Sequence, residues 1–369
     1  MSKDFRFFDS RQKYLLFVTT TNEKTQIAQK ISTTIEKIIP KKPALKIFDA
    51  GLGDGTLLMS ILRKSHNVFP TIPFLVMGKE ISMEDVRLTV EKLADRFVEH
   101  PNMVFVVSNL HYNESTQLAS KNLEKNHKIN WNVLKLKGSS SFQFSNQLNK
   151  LDEILEENWQ VERHPRSGNA TYKTPSVIVI YREDYEFTLE NIIPKNNGQK
   201  NHFDLIIASQ PYRSRITSEQ KVKYVLEPMI NALNINGRLI IVQASGNDPG
   251  MEIIRGVWPD ENPFPYPMND IVKYLKENLP KNIIESLKFN IPENVKYNLR
   301  ALPDEVDNGI ATSLIFSSWN ASTYVGQISD SKVLEAEKEG NYIKIVQDVI
   351  RKYDGLWFND EVLEIEKKN

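Results

Sequence analysis

The stretch from Lys46 to Leu58, KIFDAGLGDGTLL, constrains this chain more than any other. An apolar run through Ile47 and Phe48 ends in Asp49 and breaks into glycines spaced by one residue, Gly51, Gly53 and Gly55. Helix formers follow from Thr56. Together these predict a buried parallel strand, a tight turn and a helix N-terminus. Glycines let a ligand lie against bare backbone, and a helix start offers it unpaired N–H groups. The spacing restricts the ligand. The dinucleotide fingerprint G-x-G-x-x-G needs glycine at its sixth position, and Thr56 stands there.

A second buried strand is predicted from Phe74 to Met77, ending near the acid Glu80. With a helix over about Thr56 to Ser65 between them, the strands make a βαβ unit. A carboxylate at the end of the second strand can accept hydrogen bonds from vicinal ribose hydroxyls.

The pattern D-x-G-x-G-x-G from Asp49, followed by Glu80, resembles the first motif of the class I methyltransferases, which use S-adenosylmethionine. The resemblance implies that the loop Gly51, Leu52, Gly53, Asp54 and Gly55 passes under the methionine and ribose part of the cofactor. It implies that Asp49 reaches toward the methionine amine, and that Glu80, with Ile81 beside it, takes the ribose. It also implies a polar residue after the third strand for the adenine amino group. Two segments compete for that role. Asn109 in VVSNLHYNE has the expected chain position, and Asp184 in VIVIYREDYEF is the alternative.

Ligands in open α/β sheets bind beyond the carboxyl ends of strands. The strand predicted over Phe203 to Ala208 ends in Ser209, Gln210, Pro211 and Tyr212. This is similar to the (Asp/Asn/Ser)-Pro-Pro-(Tyr/Phe) motif of amino-group methyltransferases, whose first side chain and a backbone carbonyl hold the target NH2. The resemblance makes these four residues the catalytic candidates. Gln210 replaces the first proline, so nitrogen and oxygen acceptors both stay open. Arg213 and Arg215 follow at once. They suit a substrate carboxylate or phosphate, or equally a solvated helix start. Tyr14, Phe17, Trp258, Phe264, Tyr266 and Trp319 are aromatic candidates for a substrate pocket. Trp258 leads them because it follows the fifth strand in an irregular segment.

Strands alternate with helices along much of the chain. Strands are expected at Met103–Val107 and Arg238–Gln243, with a turn at Asn236-Gly237. Helices are expected from about Ser82 to Val98 with Ser82 as N-cap, over Val222–Leu233, and over Asn269–Glu277. Such alternation implies a parallel sheet covered on both faces. The gap from Leu110 to Asn201 is too long for a loop. A strand at Val133–Leu136, a helix at Gln147–Glu157 and a strand at Val177–Tyr181 are read inside it. SGNDPGMEIIRGVWPDENPFPYP reads as loose structure, Leu287–Leu299 as a broken strand, and Leu356–Ile365 as the last strand, which the resemblance makes antiparallel. The expected fold is therefore α/β: a Rossmann-like class I methyltransferase sheet, mostly parallel with an antiparallel last strand, plus two insertions. The expected division is an N-terminal helical segment, 1–44; a cofactor-binding core, 45–250, with an insertion at about 110–200; and a completing part, 251–369, with a helical substrate-side insertion at about 305–352.

Composition excludes several classes. Lys+Arg and Asp+Glu are both 47 and the net charge is +0, without the basic excess usual in nucleic-acid proteins. There is no cysteine, so disulfides, thiolate metal sites and cysteine nucleophiles are excluded. The 6 histidines show no metal-ligand spacing. No apolar stretch is long enough to span a membrane, and MSKDFRFFDSRQKY does not read as a secretory signal. A cytoplasmic enzyme is expected, moving a methyl group from S-adenosylmethionine to nitrogen or oxygen of a small-molecule or amine substrate. One alternative is a nucleic-acid base methyltransferase with a basic face at Lys135, Lys137, Arg163 and Arg166. The other is an inactive methyltransferase-fold subunit that binds a partner.

Overall fold

The computed structural model describes residues 11–120, 122–164, 168–196, 201–300 and 312–368. Its strands are β1 (Leu45–Asp49), β2 (Phe74–Lys79), β3 (Met103–Ser108), β4 (Asn130–Leu136), β5 (Val161–Arg163), β6 (Ala170–Tyr172), β7 (Ser176–Arg182), β8 (Phe203–Ser209), β9 (Leu233–Ala244), β10 (Leu287–Phe289), β11 (Glu293–Asn298) and β12 (Trp357–Lys367). β2, β3 and β8 are nearly continuous buried apolar runs, as strands covered on both faces must be. Their side chains alternate between two cores. Ile47, Val76, Phe105 and Ile207 enter one, and Phe48, Met77, Val106 and Ile206 enter the other.

The main sheet runs β10-β12-β9-β8-β1-β2-β3-β7-β4, with β11 also on β12. β9, β8, β1, β2 and β3 are mutually parallel. β12 slots antiparallel between β9 and the broken pair β10 and β11. This is the mostly parallel sheet with an antiparallel last strand that was expected.

The long segment after β3 adds two strands to the same sheet and a separate hairpin, β5-β6. The strands read at Val133–Leu136 and Val177–Tyr181 are present, each slightly longer. β7 runs antiparallel to β3, pairing Val104 with Tyr181 and Ser108 with Val177. The carboxyl end of β7 therefore lies at the opposite edge of the sheet from the carboxyl ends of β1, β2 and β8.

Other elements depart from expectation for local reasons. The helix read from Ser82 to Val98 is two helices, Met83–Glu91 and Ala94–Glu99. Ser82 does cap the first, its Oγ accepting from the Asp85 N–H at 3.3 Å. The helix read at Gln147–Glu157 also divides, into Ser141–Leu148 and Leu151–Asn158. The segment read as loose contains a helix, Pro249–Val257, capped by Asp248, whose Oδ1 accepts from Met251 N–H at 2.9 Å. Asp at the cap with proline in the first turn is a start signal that the surrounding glycines mask. The turn read at Asn236-Gly237 lies inside β9, where Asn236 takes φ 65° and the register against β8 shifts.

A third apolar cluster joins the helices Arg11–Thr20, Pro249–Val257, Thr312–Val325 and Tyr342–Tyr353 through Tyr14, Phe17, Met251, Trp319 and Val346. It brings the N-terminal and C-terminal helices together beside the carboxyl edge of the parallel strands. No helix among the described residues is long and apolar enough to cross a membrane.

Candidate functional site

The turn after β1 is built by the backbone and one carboxylate. Leu52 N–H donates to the Lys79 carbonyl at 3.1 Å, and Gly55 N–H to the Leu52 carbonyl at 3.0 Å. Gly53 and Gly55 take φ 51° and 79°, where a side chain is strained. Glu80 ties this turn to the end of β2. Its Oε2 accepts from Gly53 N–H at 2.9 Å, and its Oε1 accepts from Ile81 and Ser82 N–H at 2.8 and 2.9 Å. Three backbone donors thus fix the carboxylate, and its remaining lone pairs stay available to a ligand.

A cavity of about 200 Å³ opens here. Gly51, Gly53, Glu80 and Ile81 line one side; Ser209, Gln210 and Pro211, at the end of β8, line another. Tyr14 closes it from the N-terminal helix. With Phe17, also on the wall, nine sequence-predicted residues therefore meet at one place. Ser209 Oγ is buried and has no hydrogen-bond partner among the described residues. Gln210 sits at φ 50°, unusual for a residue with a Cβ. The Tyr112 hydroxyl donates to the Pro211 carbonyl at 2.8 Å and holds that loop. Burial raises the pKa of Tyr112 and lowers that of Lys79, which also lines the cavity.

The other predicted residues lie elsewhere. Asp49 is tucked beneath the turn, where its Oδ1 accepts from Gly51 N–H at 3.2 Å. Burial pushes its carboxyl up to about 7. The Leu52 side chain covers Gly78, and Gly55 packs on Thr89. Asp54 is engaged by Lys92 at 2.7 Å and by Tyr14 at 3.2 Å. Tyr212 is buried behind the wall with Lys221 4.9 Å from its ring centre, so its ring is not presented to the cavity. Arg213 is outside the cavity wall. Arg215 is held by the Gly326 and Gln327 carbonyls at 3.0 Å and by Glu261 at 2.5 Å. Trp258 stacks on Trp319 at 5.5 Å in the third core.

Neither adenine candidate reaches the cavity. Asn109 has turned to the start of β7, its Nδ2 donating to the Thr174 carbonyl at 2.9 Å and its Oδ1 accepting from Ser176 N–H at 2.8 Å. Asp184 pairs with Arg182 at 2.5 Å at the opposite edge, because β7 is antiparallel. Of the basic residues weighed for nucleic acid, Lys135 pairs with Glu186 at 2.7 Å and Lys137 faces Glu183 at 3.5 Å. Arg166 lies outside the described residues.

Sequence reasoning missed much of the far wall. Glu23 and Lys24 come from the helix Glu23–Ile35, Tyr297 from β11, and Tyr324 from the helix Thr312–Val325. Glu23 Oε2 faces Lys24 Nζ at 3.0 Å. Tyr324 stacks obliquely on Phe17 at 5.0 Å and lies 5.9 Å from Tyr14. An aromatic wall beside carboxylates suits a cationic ligand.

A parallel run of five strands, an antiparallel strand inserted beside the fifth, and a glycine turn at the carboxyl edge are now in view together. The fold is a Rossmann-like α/β sheet, mostly parallel with an antiparallel last strand. No family model matches the sequence, and no curated protein matches it. Solved structures align over most of the chain. A SAM-dependent methyltransferase from Archaeoglobus fulgidus is 10% identical, covering 93% of this chain and 94% of its own, with TM-score 0.30. A cyclopropane-fatty-acyl-phospholipid synthase-like protein from Lactobacillus casei is 8% identical, covering 97% and 99%, with TM-score 0.37. A geranyl diphosphate methyltransferase is 10% identical, covering 92% and 78%, with TM-score 0.34. Likenesses this distant decide nothing about chemistry. The α/β architecture rests here on the chain's own strand order.

Gly53 yields a prediction at once. A Cβ there would come 2.1 Å from the Tyr14 hydroxyl, and φ is 51°. Gly53→Val should therefore dislodge the N-terminal helix from the turn and destabilise the fold by about 2–4 kcal/mol. Urea unfolding measures this, and an unchanged midpoint would show that Tyr14 does not pack there.

Proposed function

We propose that the chain binds S-adenosylmethionine and transfers its methyl group to a nitrogen or oxygen nucleophile of a small-molecule acceptor. The observation that carries this reading is the meeting of Gly51, Glu80 and Ser209-Gln210-Pro211 on one cavity at the carboxyl edge of β1, β2 and β8. The residues fit the cofactor in a testable respect. A Cβ built on Gly51 meets nothing within 4 Å, so the glycine leaves open space over the turn.

When bound, S-adenosylmethionine supplies an electrophilic methyl group on a sulfonium. Glu80, fixed by its three N–H donors, would accept from the ribose hydroxyls. Gly51 would lie under the methionine part, with the Asp49 carboxyl just below favouring a cation. Tyr14 and Tyr324 would exclude water. Ser209 and Gln210 would orient the acceptor for in-line attack, where alignment is the main requirement. The unpaired Ser209 hydroxyl suits that task, since a buried hydroxyl without a partner is costly unless a ligand supplies one.

Titration calorimetry with S-adenosylhomocysteine tests the reading. Micromolar binding is expected. Glu80→Ala should weaken it by about ten- to a hundredfold, roughly the value of one or two hydrogen bonds to a charged group. Absence of heat at high micromolar ligand would remove the cofactor from the proposal. A nanomolar-to-micromolar response that is indifferent to Glu80 would remove the ribose assignment alone.

A further inference from the structure

One contact at the edge of the cavity is not used by the proposed methyl transfer. Asp360, in the first half of β12, sits opposite Ala244 at the end of β9 and is completely buried. Its Oδ1 accepts from Gln210 Nε2 at 3.2 Å. Its Oδ2 has no donor among the described residues. The Glu23 charge is the strongest that acts on Asp360. Two buried carboxylates that act on each other resist being ionised together. Glu23 already faces the Lys24 ammonium at 3.0 Å. Asp360, whose Oδ2 lacks a donor among the described residues, is the carboxyl that burial and the Glu23 charge keep protonated.

This sets the orientation of Gln210. With Oδ2 protonated, Oδ1 of Asp360 is an acceptor, and the Gln210 side chain must offer it the NH2 group. The amide oxygen is then left for the cavity that Gln210 lines. The backbone agrees with a held residue. Gln210 stays at φ 50°, its own N–H donating to the Val242 carbonyl at 2.9 Å. Strain of this kind persists only where the surroundings over-determine it.

We propose that Asp360 is a positioning residue that holds Gln210 with its amide oxygen toward the methyl acceptor. Only the word acceptor rests on the methyltransferase reading; the carboxyl pair stands without it. The groups facing Asp360 are Glu23 and Lys24 from the helix Glu23–Ile35, Asp248 at the start of the helix Pro249–Val257, and Tyr297 from β11. Burial first, then the Glu23 charge, pushes the Asp360 carboxyl far above its ordinary range, and Lys24 opposes this.

The test uses two variants of the full chain. Asp360→Asn keeps a carbonyl for Gln210 and an uncharged NH2 in place of the acid O–H, so it imitates the neutral acid. Asp360→Leu offers neither. The side-chain amide signal of Gln210 is read by NMR at pH 7 in chains labelled with 15N-glutamine, and assigned by its loss in Gln210→Glu. Wild type and the Asn variant should superpose, with the Leu variant displaced. A Leu variant that coincides with wild type, or an Asn variant that departs from it, overturns the proposal. Should the Leu variant not fold, thermal unfolding decides. A raised carboxyl pKa means that wild type loses stability as pH rises above the ordinary carboxylate value. The Asn variant lacks this loss, so its advantage over wild type should grow from pH 4 to pH 9. A constant difference overturns the proposal. S-adenosylhomocysteine affinity should change less than about threefold in the Asn variant. Failure of that ligand to bind any form would sink the functional reading and leave the amide signals to decide the carboxyl pair.

Discussion

A Gly51→Val chain should fold like wild type and fail to bind S-adenosylhomocysteine. Gly51 and Gly53 separate cleanly on this point. A Cβ on Gly53 would strike Tyr14, so any loss of binding there is confounded with loss of structure. A Cβ on Gly51 meets nothing within 4 Å, and Gly51 is not among the glycines with positive φ. A Cβ is therefore admitted without displacing an atom it could reach, and valine's branches are expected to extend into the cavity that Gly51 lines. The thermal midpoint should stay within about 2 °C of wild type, as for a surface substitution that touches nothing. Affinity should fall by a hundredfold or more, because the ligand must either be pushed off the turn or lose its contacts with the backbone. Calorimetry and a melting curve on the same sample check both halves. Retained affinity in a folded Gly51→Val chain would mean that the space over the turn is not the cofactor's place.

The parts of the fold legible in sequence are those where local pattern and environment agree. β1 and β8 are short apolar runs ending in Asp49 and Ser209, β2 is one followed at once by Glu80, and each lies buried on both faces at the expected place. Glu80 was legible because a strand-ending acid after a glycine turn has few other uses. The adenine candidates were illegible for a topological reason. Nothing in VIVIYREDYEF says that its strand runs antiparallel to β3, and that direction alone sends Asp184 to the far edge. Asn109 had the right chain position, yet the inserted strand needed its side chain to hold Ser176.

The far wall was illegible because its residues are ordinary in their own elements. Glu23 and Lys24 look like a helix's solvated first turn. Asp360 sits in WFNDEVLEIE, where alternation with Phe358 and Val362 does not mark an acid as buried. Only the pairing of β12 with β9 brings it to the carboxyl edge. Tyr324 lies in a helix whose neighbours Trp319 and Val325 are plain core. Tertiary contact, absent from any local window, turns these residues into walls. The same contact explains Trp258: an aromatic in an irregular segment suggested a pocket, and Trp319 took it into the core.

Asp49→Asn should stabilise the ligand-free chain at neutral pH. Asp49 is 1% exposed, and its side chain accepts from Gly51 N–H at 3.2 Å. Burial dominates and raises its pKa from 3.8 to about 7; the Gly51 bond and the Lys24 charge oppose the shift, and Glu80 adds to it. The sign follows directly. The folded chain keeps a proton that the unfolded chain releases, so folding loses stability as pH rises from about 4 to about 7. A shift of this size corresponds to a loss on the order of 4 kcal/mol by pH 8. Asparagine presents the same oxygen to Gly51 N–H and carries no charge, so the variant escapes the loss. Urea midpoints of the two chains should diverge as pH rises through that window and converge below pH 4. Parallel curves would mean that Asp49 is not buried as an uncompensated acid. The ligand then reverses the comparison. A cationic amine over the turn favours the ionised carboxylate, so wild type should release a proton on binding S-adenosylhomocysteine at pH 6–7, while Asp49→Asn releases none and binds more weakly. Calorimetry in two buffers of different ionisation enthalpy reads that proton, and equal heats for wild type in both would exclude Asp49 from the amine's surroundings.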